Sequence, residues 1–209
     1  MPSVKKRPYR SDRRQQQAEA TRERIVGCAR ELFLTAGFGA TTIGRIAQSA
    51  GVAPPTIYAA FGSKQGLLLA LLDDMARRAD RPGFEQAMRE TAGDPRRQLA
   101  EAIAFNLRFF DRNIALISLM RTVSGVEPEV AAVWDEGEAR RRRGEEELVA
   151  AWDRSGALAA GVTAQQAVDI FWAMSGPDFY RLMVVESGWD LEEFRNWLTA
   201  KLTGMLFRP

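Results

Sequence analysis

Apolar residues return along this chain at three- and four-residue spacing, and no segment sustains the period-two alternation that would set a strand half in water and half in a core. No Asn-Gly or Asp-Gly pair is present to close a hairpin, so the expected fold class is all-α, with about nine helices. Ile25, Cys28, Ala29, Leu32 and Phe33 make one face of a first helix, which Gly37 should end. Short helices follow from about Thr42 to Ala50 and from Pro54 or Pro55, and Ser63 can cap the next one, whose leucines Leu67, Leu68, Leu71 and Leu72 turn inward. Further along, Asp94-Pro95 opens a helix, residues 114–123 form a separate apolar segment, and Pro128–Arg154 reads as a long polar-faced helix. Residues 163–186 read as a helix kinked at Gly176-Pro177, and residues 191–207 as a last one behind Asp190 and Glu193, the spacing of a capping box.

A chain of 209 residues is one large domain or two small ones and can bury a real core without disulfides. It contains no histidine, and Cys28 is its single thiol. Ser-His-Asp and Cys-His catalysis, His-ligated metal sites and a disulfide scaffold are therefore excluded, and neither a metal nor a cofactor is expected. The longest aliphatic run is six residues, Leu67 to Leu72, far short of a membrane span, and the first fourteen residues lack the apolar stretch of a secretory signal. A cytoplasmic location is the expectation.

The net charge of +2 hides an asymmetry. Residues 1–64 carry eleven Lys/Arg against four acids, +7, while the remainder carries eighteen against twenty-three, −5. A basic first third on an acidic body suits a polyanion partner, nucleic acid first; a solvated basic tail is the alternative.

The segment from Thr41 to Leu67, TTIGRIAQSAGVAPPTIYAAFGSKQGL, has the physics of a helix-turn-helix. Ile43, Ile46, Ala47, Ala50, Val52, Ile57 and Phe61 hold two short helices together, and Gly51 supplies the turn. Thr42, Arg45, Gln48, Thr56, Tyr58 and Lys64 remain outward. Such a unit can lay its second helix in a major groove; two core helices joined by a glycine turn would show the same spacing.

The order Thr41-Thr42, Ile46-Ala47, Ala50-Gly51-Val52, Thr56-Ile57-Tyr58, Phe61, Ser63-Lys64, Leu67, with the helix from Ile25 to Phe38 before it, resembles the TetR family of transcriptional regulators. The resemblance implies an all-helical homodimer that binds a palindromic operator in double-stranded DNA through its N-terminal helices, with a divergent C-terminal body that binds a small molecule and dimerises. The domains it implies are a basic arm at 1–17, a DNA-binding domain at 18–64 and a ligand-binding and dimerisation domain at 65–209. By position Thr42 and Tyr58 resemble the family's phosphate-contacting hydroxyls and Lys64 its phosphate-contacting lysine. Each has a competing reading, as helix cap, half-buried ring and solvated lysine.

The sequence also departs from the family. Ala59 and Ala60 stand where an aromatic or histidine is usual before the phenylalanine, and Ala53 replaces the usual Ser/Thr ahead of Pro54 and Pro55. A face of Ala53, Pro54, Pro55, Thr56 and Ala59 has no Arg, Asn or Gln to pair with a base, so direct readout falls to Pro55, Thr56 and thymine methyls, with Arg45 or Gln48 behind them. The arm KKRPYRSDRR, six positive charges and one negative, is then expected either to read a narrow minor groove through Arg7 or Arg10 or to act as a nonspecific basic tail.

For the body, Phe105, Phe109, Met120, Arg121, Trp134, Phe171, Trp172 and Phe179 are the expected lining of an effector pocket for an apolar or aromatic compound, with Arg121, Asp169 or Asp178 as polar orienters. The arginine run at 140–143 points in four directions among Glu136, Glu138, Glu145, Glu146 and Glu147, and reads as a solvated, salt-bridged face. Leu191, Phe194, Trp197, Leu198, Leu202 and Met205 form a stripe on the last helix, which the resemblance assigns to a dimer interface. The expected function is a ligand-responsive repressor that is not an enzyme. A sequence-tolerant architectural DNA binder and an enzyme working through carboxylates alone are the rivals.

Overall fold

The computed structural model describes residues 8–208, with side chains from residue 15 on. Every extended element among them is α- or π-helical, and the one β-type contact is an isolated antiparallel bridge between Leu158 and Phe207. The chain divides into two compact units, Met1–Ala76 and Arg77–Pro209. No helix among the described residues is long and apolar enough to cross a membrane.

The first unit holds α1 (Pro8–Ala36), α2 (Ile43–Ala50), α3 (Pro54–Phe61) and nearly all of α4 (Lys64–Arg77). The helix α1 begins at Pro8, so residues 8–17 of the expected arm belong to it. Ile25, Ala29, Phe33, Ile46, Ala47 and Ile57 are buried almost completely and form the core across which α2 packs on α1 and on α3. Two devices set the corners. Gly51 ends α2 at φ 63°, a left-handed conformation that a side chain disfavours, and its N–H closes the helix on the Ala47 and Gln48 carbonyls. Ser63 accepts from the Gly66 N–H at 2.9 Å and caps α4, as its sequence position suggests. Gly66 itself must be glycine, because a Cβ there would lie 2.0 Å from the Phe61 carbonyl oxygen.

The second unit contains α5 (Arg81–Glu90), α6 (Pro95–Ser124), α7 (Pro128–Arg154), α8 (Ala164–Met174), α9 (Pro177–Tyr180), a π-helical segment (Arg181–Glu186) and α10 (Leu191–Leu206). The apolar segment expected at 114–123 is not separate: it completes the 30-residue α6, because its spacing continues that helix's buried face through Leu116, Ile117, Met120 and Val123. Asp94 caps α6, accepting from the Arg97 N–H at 3.1 Å. Around α6 pack α5, α7, α9 and α10, with α8 against α7. The kink at Gly176-Pro177 is a full break, since Pro177 has no N–H to continue α8. Asp190 caps α10 through the N–H groups of Glu192 and Glu193, while the reciprocal capping box lies at Thr163 and Gln166 instead.

Candidate nucleic-acid interface

The short α2 and α3 sort their residues cleanly. Ile43, Ile46, Ala47 and Ala50 of α2 and Ile57 of α3 are buried, which turns Arg45, Gln48, Pro55, Thr56 and Tyr58 to the surface. Tyr58 is 53% exposed, so its phenol is not a core ring. Thr42 does cap α2, accepting from the Arg45 N–H at 3.2 Å, and its exposed hydroxyl keeps a proton to donate. Arg45 reaches back to the Ala40 carbonyl at 3.3 Å and stays exposed.

Lys64 is half-buried. Its Nζ donates to the Phe38 carbonyl at 2.9 Å and lies 4.2 Å from the Phe38 ring centroid, which fixes the ammonium where α1 gives way to α2. One of its three protons meets that carbonyl, and the others can meet an anion. Thr41 is the buried member of the threonine pair: its hydroxyl donates between the Leu32 and Gly37 carbonyls, at 3.0 and 2.8 Å. Arg7 and Arg10, the expected minor-groove readers, lie outside the residues whose side chains are described.

Arg22 of α1 donates to the Ala60 carbonyl at 3.0 Å and covers the Phe61 ring at 4.4 Å, stapling α1 to the end of α3. Its signal in the sequence is only an arginine on a helix face, with its partners 38 residues away. Beside it Gln17, Thr21, Thr56 and Ala60 help to line a groove of about 440 Å³ between α1 and α3. The start of α3 has no side-chain cap, and Pro54 and Pro55 carry no N–H, so it offers fewer donors to a phosphate than an ordinary helix start.

In the second unit the expected pocket residues divide among several clusters. Phe105 stacks on Phe84 of α5 at 4.5 Å and Phe109 meets Phe110 at 6.0 Å. Phe171 lies against Trp152 at 6.0 Å, while Phe179 joins Phe194 and Trp197 at 5.7 and 6.3 Å. Met120 and Phe171 are fully buried, and Trp134 is half-buried on α7. Arg121 is no interior orienter: it is exposed and ion-paired with Asp178. Asp169 is likewise a surface partner, of Arg142, whose guanidinium holds that carboxyl below the usual carboxylate range. The arginine run also needs correction. Arg140 and Arg143 pair with Glu136 at the surface, but Arg141 turns inward to Glu145, which is only 4% exposed.

The stripe on α10 faces its own chain. Phe194, Leu198 and Leu202 have no exposed surface, because α6, α8 and the π-helical segment pack over them, so they are core and not partner-facing. Leu191 and Trp197 are half-buried, and Met205 is 44% exposed, with Leu182 and Val185 of the π-helical segment also exposed. Among the described residues no group of three or more His, Cys, Asp or Glu is placed to hold a metal ion.

The sequence model described as "Bacterial regulatory proteins, tetR family" matches residues 25–71, the stretch that contains this helix-turn-helix. Residues 25–71 carry the N-terminal domain of the TetR family. Relatives of the chain include the HTH-type transcriptional regulator EthR of Mycolicibacterium smegmatis, 30% identical over 53% of this chain and 50% of EthR. The chain spans about half the length, or less, of the first of the curated relatives it matches. Among solved structures, a putative transcriptional regulator from Saccharomonospora viridis in complex with choline is 18% identical, with a TM-score of 0.71 over 91% of this chain and all of that one. The regulator FadR of Bacillus subtilis in complex with stearoyl-CoA is 20% identical, with a TM-score of 0.71 over 87% of this chain and 97% of that one. At such identities the likeness establishes the TetR-family fold.

Proposed function

We propose that this chain is a DNA-binding transcriptional repressor, working as a homodimer and released from its operator by a small apolar or aromatic effector. The observation that carries the reading is the sorting of α2 and α3, which buries every large aliphatic side chain and leaves Thr42, Arg45, Gln48, Thr56 and Tyr58 outward within the family-matched segment. In this reading Thr42, Tyr58 and Lys64 hold phosphates, and Pro55, Thr56, Arg45 and Gln48 meet base edges. The arm at 1–17, with Arg7 and Arg10, adds minor-groove contact, residues 18–64 form the DNA-binding domain, and 65–209 carry the effector and the dimer contact. Palindromic half-sites about 34–36 Å apart, or a multiple, would suit two copies.

The second copy is received on the exposed apolar side chains Leu182, Val185 and Met205, joined by the half-buried Leu191 and Trp197. Choline and stearoyl-CoA in two structures of this fold support a body that accommodates ligands. Effector binding then needs a coupling of only about 1–3 kcal/mol to release DNA.

Footprinting the protein on DNA upstream of its own gene, with and without apolar compounds, tests the reading. A protected palindrome lost on adding a compound is the expected result. Equal affinity for random and upstream duplex would instead favour an architectural binder, which the sparse base-reading face of α3 also allows. Replacing Val185 by Asp should shift sedimentation from dimer to monomer.

A further inference from the structure

The inward turn of Arg141 creates a polar cluster between α7 and α8 that neither the fold nor the DNA-binding end explains. Arg141 Nη1 donates to Glu145 Oε1 at 2.9 Å and to the Trp172 carbonyl at 3.1 Å, and its Nη2 donates to Glu138 at 3.1 Å. Ser175 also donates to Glu145 Oε1, at 3.3 Å, and takes a bond from Asn106 of α6 at 3.4 Å. Arg141 Nε, Glu145 Oε2 and Trp172 Nε1 are all buried and have no partner. Buried polar atoms are almost always paired, so three such atoms on neighbouring side chains call for an explanation.

We propose that these three atoms are the polar end of a ligand site between α7 and α8, shaped for a neutral group with an acceptor and a donor on one carbon: a carboxamide or an un-ionised carboxyl. The ligand's carbonyl oxygen accepts from Arg141 Nε and Trp172 Nε1, and its N–H or O–H donates to Glu145 Oε2. An anion is disfavoured because Glu138 and Glu145 already flank the Arg141 guanidinium. A cation is disfavoured because the Arg141 and Arg142 guanidinium carbons already lie 5.0 and 5.7 Å from the Trp172 ring centroid. The site lies just under the surface, where Glu138 and Arg141 keep 27% and 15% of their side chains exposed. It rests on the reading that the body binds an effector and names the polar group such an effector presents.

The carboxyl form brings a proton with it. Burial pushes the Glu145 carboxyl up to about 7 against the pull of Arg141. The groups facing it are Arg141 and Glu138 on its own helix and the uncharged Ser175, backed by Asn106, from the elements packed against α7. Above that pH, bringing in a carboxylate requires uptake of one proton, shared with Glu145.

The probes are benzamide, benzoate and benzylamine, titrated into the ¹⁵N-labelled full chain between about pH 6 and 8, with the Trp172 indole N–H assigned from Trp172→Phe. Benzamide should move that resonance to saturation, and Trp172→Phe, with unchanged helix content, should bind it about tenfold more weakly by calorimetry. Benzylamine should bind at least about tenfold more weakly than benzamide. Benzoate should lose about tenfold per pH unit above about 7, a dependence that Glu145→Gln removes. Equal affinity for the three probes would overturn the assignment. So would an indole resonance that stays still while others in the body move, an outcome that leaves the effector reading intact. If all three probes are ignored and the indole proton exchanges with water, the three atoms are met by solvent and the site is refuted. The effector reading then stands or falls on operator release alone.

Discussion

The helix pair α2–α3 and the pair α7–α8 solve opposite problems with similar residues. In α2–α3 the isoleucines go in and every charged or hydroxyl-bearing side chain of the pair goes out, so polar chemistry is presented at the surface. In α7–α8 a guanidinium, a carboxylate and an indole are drawn under the surface and left with unpaired atoms. The outward set tolerates exchange because water can replace whatever is lost. The inward set does not, because each buried group depends on the next.

The arginine run tests that contrast within one turn of α7. Arg141→Ala leaves Glu145 buried without its counter-charge and should cost about 3 kcal/mol in urea unfolding near pH 8. Arg140→Ala and Arg143→Ala, exposed partners of Glu136, should each cost less than about 0.5 kcal/mol. Similar losses at all three positions would erase the distinction between the two regions.

Glu145 gives the contrast a pH signature. Burial keeps the folded carboxyl protonated up to about 7, whereas in the unfolded chain it ionises near its ordinary 4.5. Between these values the folded state binds more protons, so stability falls as pH rises through the window and the loss is complete above about 7. A shift of this size corresponds to about 3 kcal/mol. Thermal unfolding should show that slope in the native chain and a flatter one in Glu145→Gln.

How far each region was legible follows from the same difference. In α2–α3 the spacing of Ile43, Ile46, Ala47 and Ala50 fixes which side is wet, because eight residues have only one face to bury. On α10 periodicity identified a buried stripe, but it carries no information on whether the cover is the same chain or a second one. Phe194, Leu198 and Leu202 turned out to be covered by their own chain. For Arg141 and Glu145 the deciding partners are the Trp172 carbonyl and Ser175 respectively, some thirty residues away, and no local pattern announces them. The aromatic residues of the body could be singled out as one set, but their division among separate clusters depends on how α5, α6, α8, α9 and α10 cross.

The adjacent threonines carry the comparison to single hydroxyls. Thr41→Val removes a buried donor and leaves the Leu32 and Gly37 carbonyls facing a methyl, which should cost about 2 kcal/mol. Thr42→Ala removes the α2 cap, which should cost about 1 kcal/mol in stability, and, if its hydroxyl donates to a phosphate, should weaken binding to every operator in a mobility-shift titration.

The smallest effect on folding belongs to Tyr58. Its ring is half in water, so Tyr58→Phe keeps the apolar contact with the surface and should change stability by less than about 0.5 kcal/mol. If the hydroxyl donates to a phosphate, operator affinity should fall several-fold, by about 1 kcal/mol, and by the same factor on every operator variant, because a phosphate contact carries no base information. The salt dependence should stay unchanged, since no charge is lost. Lys64→Ala should by contrast reduce the salt slope by about 1. A loss of affinity that varied with operator sequence in Tyr58→Phe would make the phenol a base reader and move it to the side of Thr56 and Gln48.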